Sequence, residues 1–104
     1  DATKVKNNKF WAINYYWPGD KKDLKPGLDR LRKNKDSDTN QTIERLVEFK
    51  IKKNEIKLTK KEPVDLILEE GNSRNWEAIV RFGESGFLVA TDKYPRMILA
   101  YIKL

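Results

Sequence analysis

Hydrophobic residues occupy alternate positions in several short segments of this chain, which is the spacing of β-strands with one buried face. Residues 10–17 are mostly aromatic or β-branched and end at Pro18-Gly19, a pair that favours turns. Similar segments follow at residues 49–51, 56–58, 64–68, 76–82 and 87–91, with polar or glycine-containing turns between them. This pattern predicts an antiparallel sheet of about four to six strands.

Two segments after the first strand show helical spacing instead. Leu24, Leu28 and Leu31 recur at i, i+4 and i+7, so we expect a short helix over residues 26–33. Asp38 followed by Gln41 resembles a capping box, and a second helix is predicted from there to about residue 48. Three apolar residues support it: Ile43, Leu46 and Val47. The predicted fold class is therefore α+β, an antiparallel sheet with one or two short helices packed on one face.

The final segment, residues 97–104, is apolar on both faces. Such a run is typical of a strand that is covered on both sides, so we expect the carboxyl-terminal strand to lie in the centre of the sheet. Truncation before this strand is then expected to unfold the chain.

The composition fits a single small domain covering residues 1–104. A chain of 104 residues is long enough for one hydrophobic core and too short for two. Hydrophobic residues make up 38% and charged residues 37%, and the 11% of aromatic residues argue against disorder. No apolar run approaches the length that spans a bilayer, so we expect a soluble domain that does not insert into membranes.

The chain contains neither histidine nor cysteine, which bears directly on its chemistry. Their absence excludes disulfides, Ser-His-Asp and Cys-His nucleophilic sites, zinc fingers and histidine-ligated metals. The densest carboxylate group, Asp65, Glu69 and Glu70, fits a solvated strand face better than a magnesium or paired-carboxylate site. We therefore expect no catalytic residue, no metal and no cofactor, and we favour a role other than that of an enzyme.

The net charge of +6 is unevenly distributed, because the surplus of lysine and arginine lies before residue 62. In a hairpin over residues 47–59, apolar and charged residues alternate, which predicts that Phe49, Ile51, Ile56 and Leu58 face the core. The opposite face would then be wet and basic and would suit a phosphate backbone. Its basic residues, with the two that follow it, are Lys50, Lys52, Lys57, Lys60 and Lys61. The alternative is that these lysines guard a sheet edge against aggregation.

Aromatic residues beside turns are the second candidate feature. Tyr16 and Trp17 precede the Pro18-Gly19 turn, and Arg74 and Trp76 follow a turn that begins at Gly71. An exposed ring at these positions could stack on a base or a sugar, with Arg74 supplying a cation. The alternative is that the rings pack in the core, as aromatic residues in strands usually do.

The order of the predicted elements is loosely similar to that of two known families. An opening aromatic strand, a helix and a sheet containing Val64-Asp65-Leu66-Ile67-Leu68 resemble the PUA-like domains, including the EVE group, which read nucleic acids and modified bases. This resemblance spans most of the chain and rests on no specific motif. A helix pair followed by antiparallel strands is also similar to small ribosome-dependent ribonuclease toxins, which can work with Lys, Arg and Tyr instead of histidine.

Three functions follow as hypotheses, and the cellular compartment stays open. The basic hairpin and the aromatic residues beside turns favour a nucleic-acid-binding module with DNA or RNA as its partner. The start at Asp1 instead of methionine suggests a processed protein or a segment of a longer one. With the missing catalytic set, that start favours a non-catalytic protein-interaction or accessory domain of a secreted or surface system. The third hypothesis is a histidine-free ribonuclease toxin.

Overall fold

The structure is a computed structural model that describes residues 1–19, 29–31, 42–66, 74–92 and 96–104. In these residues the chain forms seven strands in two antiparallel sheets. The strands are β1 (Lys9–Tyr16), β2 (Ile43–Lys52), β3 (Glu55–Leu58), β4 (Val64–Asp65), β5 (Trp76–Phe82), β6 (Gly86–Thr91) and β7 (Leu99–Lys103). The first four strands form one sheet and the last three form the other.

The long strand β2 is the centre of the first sheet. Strand β1 pairs with one edge of β2 in unbroken register, from Lys9 opposite Lys50 to Tyr16 opposite Ile43. Strands β3 and β4 share the other edge, with β3 beside residues 49–52 and β4 beside residues 45–46. Side chains on both faces of β2 are buried between residues 44 and 47.

Two tight turns organise this sheet, and both use residues in the left-handed region. Asn7 and Asn8 have φ of 52° and 57°, and Lys53 and Asn54 have φ of 50° and 64°. Consecutive positive φ values match two-residue hairpin turns whose twist suits the flanking strands, and asparagine tolerates this region better than most residues. The first turn folds residues 1–6 back along β1, and the second joins β2 to β3.

The second sheet is a meander with β6 in the centre, β5 on one side and β7 on the other. Residues 83–85 turn the chain between β5 and β6, as the glycine pattern predicted. Gly86 is required where β6 begins, because a Cβ there would lie 2.2 Å from the Ile102 carbonyl oxygen and 2.8 Å from the Tyr101 ring. The close approach of this neighbouring strand therefore depends on the missing side chain.

The hydrophobic core lies between the two sheets. Trp11 of β1 and Phe87 of β6 meet with ring centroids 5.2 Å apart. Other buried members are Leu46, Leu66, Ile79 and Val89. The amino terminus also joins the sheets, because the backbone oxygen of Asp1 accepts a hydrogen bond from β1 and its carboxylate accepts one from the Ile79 N–H at 2.9 Å.

The α+β prediction is wrong for the described part of the chain. It contains two β-sheets and no helix beyond a single short turn at residues 18–19. The second predicted helix falls on β2 from residue 43 onward. Consecutive burial on both faces of a central strand places apolar residues three and four positions apart, which imitates a helix. Most of the first predicted helix, residues 26–33, lies outside the described residues, and residues 29–31 form a turn.

The prediction that residues 97–104 form a central strand is also wrong. Strand β7 pairs only with β6 among the described strands, and its side chains alternate between exposed and half-buried. The apolar residues on its outer side, including Leu99 and Tyr101, are exposed instead of covered. No helix in the described ranges is long and apolar enough to cross a membrane.

Candidate nucleic-acid interface

Three lysines from three neighbouring strands lie directly opposite one another in the first sheet. Lys50 of β2 is opposite Lys9 of β1 on one side and opposite Lys57 of β3 on the other. Residues in register across antiparallel strands point to the same face, with Cβ atoms about 5 Å apart. We call these three residues the lysine row. Lys9 and Lys57 are exposed, and Lys50 is half-buried.

The lysine row lies on the face of the sheet that points towards the core, which corrects the predicted orientation of the hairpin. The core residue Leu46 occupies the same side of β2 as Lys50, because even-numbered positions of this strand share a face. Phe49 and Ile51 therefore lie on the outer face, opposite Leu58 and Ile56 respectively. The predicted alternation of apolar and charged residues in the hairpin is correct, but the apolar side was wrongly predicted to face the core. The lysines reach solvent because they lie beyond the end of the core.

Lys52, Lys60 and Lys61 surround the lysine row without belonging to it. Lys52 is opposite Glu55, which also forms an ion pair with Lys57 at 2.6 Å. The ammonium group of Lys61 lies 5.3 Å from the centre of the Trp11 ring, so it covers the edge of the core. Lys60 is exposed in the segment that follows β3.

Two further basic groups lie at the same end of the fold, where the two sheets meet. Lys6, beside the Asn7-Asn8 turn, forms an ion pair with Glu84 in the turn between β5 and β6. Arg81 lies 4.0 Å from the same carboxylate. The hydrogen bond and positive charge of Lys6 lower the pKa of Glu84 below its ordinary value. We call this end of the molecule the turn end, because three hairpin turns meet there.

Negative charge at the turn end offsets only part of this basic character. The Glu48 carboxylate accepts a hydrogen bond from the Thr59 hydroxyl at 2.9 Å and lies 4.0 Å from the Lys9 ammonium group. Among the described side chains, Glu55 and Glu84 also bring carboxylates to this end. The surrounding basic residues outnumber these three carboxylates: Lys6, Lys9, Lys50, Lys52, Lys53, Lys57, Lys61 and Arg81. The turn end is therefore a positively charged surface.

The predicted aromatic residues lie at the opposite end of the fold. Tyr16 ends β1 and pairs with Ile43, and the half-exposed Trp17 ring packs against Gly19. Six residues of strand separate this end of β2 from Lys50, which is roughly 20 Å. The basic and aromatic residues that were predicted to form one site therefore lie at opposite ends of the fold.

Arg74 and Trp76 also lie at that opposite end, next to buried Glu44. The Glu44 carboxylate accepts hydrogen bonds from the backbone N–H groups of Arg74 and Asn75, at 3.1 and 2.9 Å. Trp76 packs half-buried against the core, and its buried ring N–H has no hydrogen-bond partner among the residues that the structure describes. Trp76 thus has a packing role here, as the alternative interpretation stated.

Sequence reasoning missed several basic residues of the turn end, among them Lys6, Lys9 and Arg81. Lys9 enters the lysine row only through the pairing of β1 with β2, whose register is set across more than thirty residues of sequence. The Asn7-Asn8 pair was the available signal, because it marks a hairpin turn that makes Lys9 the first residue of a strand. Arg81 is opposite Phe87 and thus on the core side of its sheet. The sequence could have indicated this, because residues two apart in a strand share a face and Ile79 is buried.

The described residues contain no group of three acidic side chains that could hold a metal ion. No family model, no curated protein and no solved structure matches the chain. The case for a function therefore depends on the geometry and charge of the turn end.

Proposed function

We propose that this protein is a nucleic-acid-binding domain that holds a phosphate backbone against the lysine row. One observation carries the proposal, the register that places Lys9, Lys50 and Lys57 side by side. Like charges directly opposite one another in a sheet are destabilising. The phosphates of a bound nucleic acid would neutralise this repulsion between the lysines, which favours binding.

The position of Lys50 argues against the alternative that these lysines only guard a sheet edge. Edge guarding requires lysine on an edge strand, and Lys57 lies on β3, an edge strand among the described ones. Lys50 lies on the central strand, which is paired on both sides, so aggregation through its backbone is already blocked. Edge guarding therefore does not explain the lysine at position 50, whereas anion binding does.

The surroundings of the lysine row favour contacts to phosphates over contacts to bases. The nearest aromatic ring in the core, Trp11, is fully buried, so it offers no face on which a base could stack. Half-exposed Trp17 is roughly 20 Å away along the strands. The exposed Phe82 ring lies on the outer face of the other sheet and so points away from the lysine row. Phosphate contacts position a nucleic acid and carry no sequence information. We therefore expect binding that depends strongly on salt and weakly on sequence.

The test compares two variants that lose the same charge. One replaces the lysine row, Lys9→Gln, Lys50→Gln and Lys57→Gln. The control replaces three basic residues remote from the turn end, Arg30→Gln, Arg74→Gln and Arg96→Gln. Affinity for a labelled single-stranded oligonucleotide is measured by fluorescence anisotropy between about 50 and 200 mM salt.

We expect the unmodified protein to bind, and the lysine-row variant to lose at least about tenfold in affinity at low salt. Its salt slope should fall by roughly two units, because about 0.7 counterions are released per phosphate contact with a single strand. The control should keep most of the affinity and slope. Equal losses in both variants would show that only net charge matters, and no binding by the unmodified protein would refute the proposal.

A further inference from the structure

The outer face of the second sheet is apolar across all three strands. Its side chains form cross-strand rows: Val80 opposite Leu88, which is opposite Tyr101, and Ala78 opposite Ala90, which is opposite Leu99. We call these six residues, together with Phe82, the apolar face. They point away from the core, since the buried residues Ile79, Phe87 and Val89 occupy the alternate positions.

Most of the large side chains on the apolar face are exposed. The exposed fraction is 56% for Val80, 56% for Phe82 and 72% for Leu99. The Phe82 and Tyr101 rings meet edge to face at 6.0 Å over Gly86, which has no side chain to separate them. This contact fixes the two rings in place and leaves much of their surface free.

The area of the apolar face is close to what a specific dimer requires. With roughly 100 Å² free on each of Val80, Phe82, Leu99, Tyr101 and, at the margin, Met97, and with smaller parts from Ala78 and Leu88, the face offers about 600 Å². Two such faces would bury about 1,200 Å² together, which is the lower end of the range for specific interfaces. A monomer rarely exposes a larger contiguous apolar patch.

We propose that two copies of this chain associate through the apolar face, related by a two-fold axis. Two-fold pairing brings the same patch of both copies together, so an apolar surface meets an apolar surface. The rows of Val80 and Ala78 contain no charged side chain; Lys103 lies at the corner of the face, in the row of Phe82 and Gly86. The net charge of +6 therefore does not oppose association on this side, whereas the turn end would repel its own copy. The lysine row stays free in this arrangement.

The test is analytical ultracentrifugation of the full chain and of three single variants, from about 1 to 300 µM. Val80→Glu and Leu99→Glu each place a charge on the apolar face, on β5 and β7 respectively. Ile56→Glu is the matched control, because Ile56 is 64% exposed on the outer face of the other sheet. Thermal melts establish that each variant folds.

We expect a concentration-dependent dimer for the unmodified chain, with dissociation in about the micromolar range. Val80→Glu and Leu99→Glu should each weaken it at least about tenfold, since a charge buried without a partner is costly. Ile56→Glu should leave it unchanged. If a glutamate variant does not fold, Val80→Thr and Leu99→Thr replace it in the comparison.

Three results would overturn the proposal. The first is a monomer over the whole concentration range. The second is a dimer that only Leu99→Glu disrupts, because that would place the contact at the β7 edge and not on the face. The third is a dimer that Ile56→Glu weakens as much as the other two variants.

Discussion

Replacing Lys50 with glutamine should make the protein more stable while it weakens nucleic-acid binding. Lys50 is the middle member of the lysine row, with a like charge directly opposite on each side. The substitution keeps a polar side chain of similar reach and removes one positive charge. If a substitution raises the free energy of unfolding and lowers affinity, the original residue serves binding at a cost in stability.

The size of the effect follows from the spacing of the charges. Cβ atoms directly opposite each other are about 5 Å apart, and we take about 7 Å between the splayed ammonium groups. Two unit charges at that distance repel by roughly 0.6 kcal/mol in water, and about 0.1 M salt halves this. With two neighbours, the gain is roughly 0.6 kcal/mol, equivalent to a rise in Tm of about 2 to 5 °C.

The matched control is Lys52→Gln, two residues further along the same face of the same strand. Lys52 is opposite Glu55, so the residue across from it attracts its charge. The residues across from Lys50 are lysines, which repel its charge. Urea unfolding of both variants should give a gain for Lys50→Gln and a loss of at most about 0.5 kcal/mol for Lys52→Gln. The gain should shrink in high salt. Equal effects, or a loss of stability in Lys50→Gln, would refute the reasoning.

Three further predictions test the fold around the site. Trp11→Ala should cost about 3 to 5 kcal/mol in urea unfolding, because this ring is fully buried between the sheets; a cost under about 1 kcal/mol would contradict its place in the core. Gly86→Ala should lower the free energy of unfolding by about 1 to 3 kcal/mol, since its Cβ would lie 2.2 Å from the Ile102 carbonyl oxygen, and a neutral result would rule out that contact. An NMR titration should find the pKa of Glu84 below that of an ordinary glutamate, and Lys6→Ala should raise it; because the folded pKa is the lower one, the pair stabilises the protein above the ordinary glutamate pKa of about 4.3 and loses this effect as pH falls through the lowered value.

Local patterns predicted the strands and turns of the fold but not which face of each strand is buried. Alternation located β1, β5 and β6 closely, and glycine or asparagine located the turns at residues 53–54 and 83–85. The buried side of β2 depends on its pairing with β1, which brings Ile13 opposite Leu46. That pairing joins distant parts of the sequence, so alternation within the hairpin alone could not supply it.

The helix predicted over β2 shows a second limit of sequence reasoning. Glu44 and Arg45 are both buried in that strand, where hydropathy predicts exposed residues. Arg45 is accommodated because its guanidinium group donates hydrogen bonds to Asn14 at 2.8 Å and to the Asp29 carboxylate at 2.9 and 3.0 Å. Glu44 is accommodated by backbone N–H groups from the start of β5. Buried polar residues with tertiary partners hide the period of a strand.

The basic surface of the turn end could be predicted from the sequence only in part. Lys50, Lys52 and Lys57 were correctly placed together on one face of a hairpin by their alternation. Lys9 comes to the turn end through the pairing of β1 with β2, and Arg81 through the packing of the second sheet against the first.

Mapping an oligonucleotide onto the protein by NMR tests the central claim most directly. Spectra of ¹⁵N-labelled protein would be recorded at low salt during titration with a short single-stranded oligonucleotide. The account predicts that the backbone amide signals of Lys9, Lys50 and Lys57 shift together, and that those of Tyr16 and Trp17 stay in place. Shifts confined to the aromatic end, or no shifts at all, would contradict it.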